Sequence, residues 1–530
     1  MSNIETLKNR FLQGRLTRRE FLTQVSALGL AATLSPALLG TPARAATPKS
    51  GGRCRIAYND CGMSDGLDPT LSTSNCSGLL RQQLANPLVE EGSGGVLIPE
   101  LAENWESSKD VKKWTFRLRK GIEFHNGKTF DVEDAIYSLA SHRHEGTKSQ
   151  AKAYLADVQE MKADGKHTLV VTLSQGNVDF PTILAFPSLL MVPAGTTDYT
   201  NFIGTGPYIL KLFEPGVRSL TQKNPNYWKN DRGHFDEVEI LGIADVNARI
   251  NALRTGVIDV MNECDLKSLH LLEKDPKVQV IRVTAKKHHL FPMRTDQAPY
   301  DNNDVRLALK YAIDREEIVN KVLNGYGAVG DDHPIGPAYR FHATEAELPG
   351  RVYDPDKARY HLKKAGLEGH TFTLHVADAP YAGAVDTALL YQQHAVKAGV
   401  NLKIVREPDD GYWTNVWMQK PFCASKWSGR LNEDMMFSTA YSSGAPWNET
   451  FWNNERFNLL LKGARTELDE NKRREMYVEM QRLVRDEGGS VIPVFGDFVY
   501  AASSNIRFGE LSSSWELDGL RAPERWWFES

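Results

Sequence analysis

Residues 101–139 read LAENWESSKDVKKWTFRLRKGIEFHNGKTFDVEDAIYSL. In KKWTFRLRKG, Trp114, Phe116 and Leu118 alternate with Lys113, Arg117 and Arg119, the period of two expected of a half-buried strand. Asn126-Gly127 follows, a dipeptide that favours a tight hairpin turn. Asp131–Leu139 then changes to helical spacing with acidic residues in its first turn, where the helix dipole favours them. Strand, turn and helix are thus legible within 39 residues.

The same mixture runs outward in both directions. Strands are expected at 167–175, 371–378 and 400–407, and helices at 247–256, 301–327 and 354–366. The pair of strands at 371–378 and 400–407, with a helix between them, has a βαβ pattern. Two long amphipathic helices occupy 454–489, and VIPVFGDFVY at 491–500 reads as one strand. With 530 residues, 41% hydrophobic and 25% charged, the chain has the composition of a large globular α/β protein of two or three lobes.

The first 45 residues differ. Thr17-Arg18-Arg19-Glu20-Phe21-Leu22 precedes the apolar stretch VSALGLAATLSPALLG and an Ala-x-Ala site at Ala43 and Ala45. This is the pattern of a twin-arginine export signal cleaved near Ala45. It places the mature chain in a bacterial periplasm, and no cysteine follows to carry a lipid anchor. The segment holds six basic residues against Glu5 and Glu20, so cleavage takes the formal charge from −4 to −8. An acidic protein of this kind disfavours nucleic acid as a partner. Five cysteines remain, Cys54, Cys61, Cys76, Cys264 and Cys423, without any Cys-x-x-Cys pair. One disulfide is expected in an oxidising compartment, its partners undetermined.

Catalytic constellations are missing from the pattern. No Gly-x-Ser-x-Gly or His-Glu-x-x-His occurs. Ser149-Gln150-Ala151-Lys152 fits Ser-x-x-Lys but lacks the companion motifs, and Gly127-Lys128-Thr129 is better read as the Asn-Gly turn. His288 and His289 are adjacent, and on a strand they point to opposite faces. No enzyme activity, metal or cofactor is expected.

Several blocks together resemble the bacterial extracellular solute-binding proteins of family 5, the oligopeptide and dipeptide class. They are 101–139, GTGPYILKLFEPGVRSLTQKNPNYW (204–228), DVNARINALRTGVIDVM (245–261), APYDNNDVRLALKYAIDREEIV (298–319) and YDPDKARYHLKKAGL (353–367), in order along the chain. The resemblance implies a three-lobe venus-flytrap fold (class II, cluster C) with two hinge crossings, near 288–295 and 489–496. Lobe I comprises 46–78, 205–287 and 490–530; the accessory lobe is 79–204; the second closing lobe is 288–489. It further implies a monomer that captures a short peptide or peptide-like, amino-acid-derived solute and hands it to an inner-membrane permease and ATPase complex. A non-peptide solute (an opine, a sugar or a metal chelate) is the alternative, followed by a periplasmic hydrolase or a receptor-docking role.

In dipeptide-binding members of that family, a Trp-x-Gly-Asp segment lines the cleft and its aspartate pairs with the peptide's ammonium group. The similar segment here is Trp427-Ser428-Gly429-Arg430. An arginine in that place inverts the charge and suits a carboxylate. Arg430 also stands three and four residues before Glu433 and Asp434, spacings that permit local ion pairs instead. Trp413 and Trp427 adjoin turn residues and are expected as cleft walls, facing Asn75 and Cys76 in one loop and Asp265 in another.

Overall fold

The computed structural model describes residues 48–71, 74–92 and 95–529. The export-signal residues Arg18, Arg19, Ala43 and Ala45 lie outside them. The chain divides into two units: 50–528, which carries every element below, and 1–49 with 529–530, of which only 48, 49 and 529 are described.

The first lobe is built on a seven-stranded mixed sheet, in the order Val278–Val283, Phe498–Ser503, Val260–Met261, Arg53–Tyr58, Glu237–Gly242, Arg218–Lys223 and Tyr208–Glu214. The accessory lobe is a four-stranded antiparallel sheet, Ala102–Ser107, Lys113–Leu118, Thr168–Leu173 and Val158–Ala163. Its period-two strand behaves as its residues dictate: Trp114, Phe116 and Leu118 are buried, and Lys113 and Arg117 face water. Gly127 turns the hairpin at φ +80°, and the helix Val132–Ser141 starts with a capping box between Asp131 and Asp134.

The second lobe has its own four-stranded sheet, Gly327–Val329, Ser490–Gly496, His288–Pro292 and Ser425–Trp427. Beside it, Thr371–Val376 and Asn401–Arg406 pair in parallel around the helix Ala384–Lys397, as the βαβ pattern requires.

One expectation is corrected. The run 491–500 is two strands, Ser490–Gly496 in the second sheet and Phe498–Ser503 in the first. The chain therefore passes from one sheet to the other at 284–287 and again at Asp497, and 490–496 pairs within the second sheet. Asp497 breaks the run because its carboxylate is held by the guanidinium of Arg282 on the neighbouring first-lobe strand.

Packing divides the molecule unevenly. One hydrophobic core runs continuously from Ile56 and Tyr58 of the first lobe to Phe116 and Val171 of the accessory lobe, and reaches Leu431 and Met435 of the second. Separate cores lie around Phe291, Leu309 and Leu374 and around Phe437, Phe457 and Tyr477. Both belong to the second lobe, which is joined to the first by two crossings. No described helix is long and apolar enough to cross a membrane.

Candidate functional site

Two neighbouring cavities lie where the lobes face each other. The larger, of about 270 Å³, is bounded by Asp60, Asn75, Arg81, Ser428, Arg430 and Trp447 among others. The smaller, of about 90 Å³, lies among Asn75, Glu263, Lys287, His289, Lys426 and Glu516. Asn75 and Ser428 line both.

The first-lobe wall is the start of the helix Asn75–Leu84. Ser74 caps it by accepting from Ser77 N, and Asp60 accepts from the backbone N–H groups of Asn75 and Cys76, both at 3.0 Å. A disulfide between Cys61 and Cys76 ties this loop to the helix. Cys76 thus anchors the wall, and among the described residues Cys54, Cys264 and Cys423 are buried free thiols.

On the opposite wall the strand Ser425–Trp427 pairs with His288–Pro292. The Trp427 indole N–H donates to Glu449 Oε1 at 2.5 Å, and Trp417 donates to Glu449 Oε2 at 2.5 Å. Gly429 lies tightly against the lobe crossing. A Cβ there would stand 2.7 Å from Lys286 Cβ and 2.8 Å from the Ser514 carbonyl oxygen.

Arg430 comes next and is 6% exposed. Its Nε donates to Tyr154 Oη at 3.0 Å, and its Nη1 donates to the Gly429 and Ser428 carbonyls at 3.1 and 3.3 Å. The guanidinium sits 5.3 Å from the Trp427 ring centroid, a cation–π contact. It pairs with neither acid that follows it. Glu433 accepts from Phe341 N at 2.6 Å, and Asp434 is bridged by Arg465 at 2.8 Å. No described carboxylate lies within 4 Å of Arg430, and its Nη2 has no hydrogen-bond partner among the described residues. An arginine cannot lose its proton, and a buried unpaired charge is costly. Arg430 therefore presents a fixed positive charge to the larger cavity. Burial and the nearby Arg430 charge push the pKa of His288 down to about 3, so this histidine adds no positive charge beside Arg430.

The other expected positions scatter. Trp413 is 43% exposed, packs edge-on against Trp417 and lies outside both cavities. Asp265 turns its carboxylate to Ser268 Oγ at 2.8 Å and to the N–H groups of Lys267 and Ser268. Its neighbour Glu263 reaches the smaller cavity instead. Burial opposes the Glu263 carboxylate, but the charges of Lys287 and Lys426 and the Asn59 amide outweigh it and hold its pKa below the ordinary range. Glu516 goes the other way, raised first by burial and then by Glu263. Sequence reading missed Asp60, Arg81, Lys287, Lys426, Trp447 and Glu516. The Lys286-Lys287-His288-His289 run was the one signal available, two lysines beside a strand that crosses between lobes.

Ser149 and Lys152 form no catalytic pair. Ser149 Oγ lies 2.5 Å from His142 Nδ1, while Lys152 bonds the Glu145 carbonyl. Among the described residues two clusters have the spacing of metal ligands, and both are already engaged. Glu90, Glu100 and Glu524 surround Lys229 and Arg521; Asp314 caps a helix while Glu317 bonds His394.

The family model described as "Bacterial extracellular solute-binding proteins, family 5 Middle" matches residues 96–449. The chain belongs to this family. Family 5 proteins are binding proteins of transport systems, not enzymes. Among its family 5 relatives, the Di/tripeptide-binding protein 1 of Pseudomonas aeruginosa (strain UCBPP-PA14) is 26% identical over 505 residues, covering 88% of this chain and 93% of the relative. The dipeptide-binding protein of Escherichia coli K12 is 27% identical over 483 residues, covering 82% and 88%. The same fold recurs in the periplasmic binding protein AgaA of A. tumefaciens R10, solved with agropinic acid. It has a TM-score of 0.78 at 24% identity and covers 90% of this chain and 99% of AgaA.

Proposed function

We propose that this family 5 protein is the periplasmic capture component of an ATP-driven importer. It takes a short peptide or peptide-like, amino-acid-derived solute whose carboxylate docks on Arg430. One observation carries the reading: a buried guanidinium in the cleft wall, without an acidic partner among the described residues, where a bidentate carboxylate fits. The relatives named for dipeptides and tripeptides support a solute of this size. The second lobe hinges on 284–287 and Asp497 against the joined first and accessory lobes, and solute binding favours the closed arrangement. Export uses the twin-arginine signal, the working form is a monomer, and the closed form docks on a membrane permease and its ATPase.

A thermal-shift comparison of the wild type with Arg430→Ala tests the docking, using short peptides and their C-terminal amides. Solute at 100 times its Kd adds about 2.7 kcal/mol of stability. The acid form should stabilise only the wild type, and amidation should remove the shift. Equal shifts for acid and amide in both proteins would show that Arg430 only shapes its loop, and would favour a non-peptide solute.

A further inference from the structure

The smaller cavity carries four charged groups, and its arrangement is unusual. Glu263 and Glu516 come from the first-lobe side, Lys426 from the second-lobe strand Ser425–Trp427, and Lys287 from the crossing between them. None of the four has an ion-pair partner within 4 Å among the described residues. Neither lysine ammonium donates a hydrogen bond to a described residue; Lys287 has only a ring contact, 5.0 Å from the Phe498 centroid. Glu516 is held by neutral donors: Tyr58 Oη at 2.6 Å, Asn75 Nδ2 at 3.0 Å and Asn262 Nδ2 at 3.2 Å. Opposite charges that share so small a space yet do not touch leave room for a guest that is itself dipolar.

His289 adds to this. It is 7% exposed, stacks on Tyr381 at 3.8 Å, and its buried Nδ1 has no hydrogen-bond partner among the described residues. Burial, then Lys287 and Lys426, press its pKa far down, so the ring stays neutral beside the two lysines.

We infer that the smaller cavity receives a zwitterionic α-amino-acid head, its ammonium towards Glu263 and Glu516 and its carboxylate towards Lys287 and Lys426. Arg430, across the shared Asn75 and Ser428, takes a second acidic group of the same solute. This inference rests on the Arg430 reading and sharpens it: the solute class is an amino acid bearing an additional carboxylate on an extended arm, with a net negative charge. A linear dipeptide of neutral residues has only one carboxylate and cannot satisfy both ends.

The test is isothermal titration calorimetry with γ-L-glutamylglycine, which has a free amino-acid head and a distant carboxylate. Three derivatives accompany it: the N-acetyl form, the head α-carboxamide and the glycine-end amide. Binding of the parent compound is expected, and each head change should weaken it about tenfold or more, as expected for losing a charge-assisted contact. The carboxamide penalty should vanish in Lys426→Ala and the acetyl penalty in Glu263→Gln; Lys426 is exposed and glutamine keeps the size of the Glu263 side chain and an oxygen for Asn59, so folding is spared. No binding heat from the parent at millimolar concentration overturns the inference. So do head derivatives that bind as well as the parent, or penalties unchanged in the two variants. If only the glycine-end amide loses affinity, the Arg430 reading stands and the head subsite falls. If only the head derivatives lose affinity, the subsite stands and the Arg430 reading falls.

Discussion

Tyr154 of the accessory lobe accepts a 3.0 Å hydrogen bond from Nε of Arg430 in the second lobe. Arg430 is thus oriented by a residue 276 positions earlier, on the opposing side of the cavity. The same hydroxyl lies 3.1 Å from Thr439 Oγ1, and the ring packs edge-on against Phe186. Tyr154→Phe keeps the ring and removes the bond. Hydrogen bonds to charged groups contribute about 1.5–3 kcal/mol, so affinity for an acidic solute should fall roughly tenfold or more. Calorimetry on the variant checks this, and unchanged affinity would show that Arg430 is held by Trp427 and its own carbonyls alone.

A second bond between the lobes is the ion pair of Asp179 with Arg473 at 2.5 Å, both side chains largely buried. Breaking such a pair from one side costs about 3–5 kcal/mol, whereas replacing both partners by apolar groups is often neutral. Arg473→Met should therefore lower the melting temperature and weaken solute binding, and Asp179→Leu/Arg473→Met should recover much of the loss. A double-mutant cycle with no coupling would remove this pair from the account of closure.

Gly429 makes a steric prediction. Adding one methyl group drives it into Lys286 Cβ and the Ser514 carbonyl, one of them backbone. Overpacking of this kind costs about 1–3 kcal/mol. Gly429→Ala should lower both thermal stability and affinity, because the strain falls on the loop that positions Arg430. A melting curve matching the wild type would show that the crossing yields freely.

Acid sensitivity follows from two histidines. Burial lowers the pKa of His142 to about 4 and that of His288 to about 3. Each is neutral in the fold and charges more readily when unfolded. The stability they contribute is fully present above the unfolded value of about 6.5 and is lost as pH falls towards 4 and 3. At about 1.4 kcal/mol per unit, His142 contributes up to roughly 3 kcal/mol. His142→Asn should flatten the fall in melting temperature between pH 6.5 and 4; a parallel fall in both proteins would show that His142 already charges in the fold.

The sequence made local structure legible wherever the cause was local. The alternation around Trp114 and Phe116, the Asp131 cap and the Asn126-Gly127 turn each act within a few residues, and each element appears where its pattern predicts. The charge of Arg430 was legible for the same reason. Its partners were not, since Tyr154 and Tyr339 reach it from distant parts of the chain. The run VIPVFGDFVY hid a change of sheet because both halves are apolar, and only Arg282, 215 residues away, explains the break at Asp497. Trp413 and Trp447 have similar surroundings in sequence, yet tertiary packing sends one to the surface and the other to the cleft.

The unpaired guanidinium also has a practical side. On the docking proposed above, a cleft with a fixed cation does not distinguish solute from solvent ions at the first encounter. Acetate, citrate or phosphate in a buffer competes for the same fork, so apparent affinity scales inversely with the concentration of such anions. Measured constants for this protein will describe the solute only when taken at a low, constant concentration of such anions, and a series in rising acetate tests the docking on Arg430 without any knowledge of the natural solute.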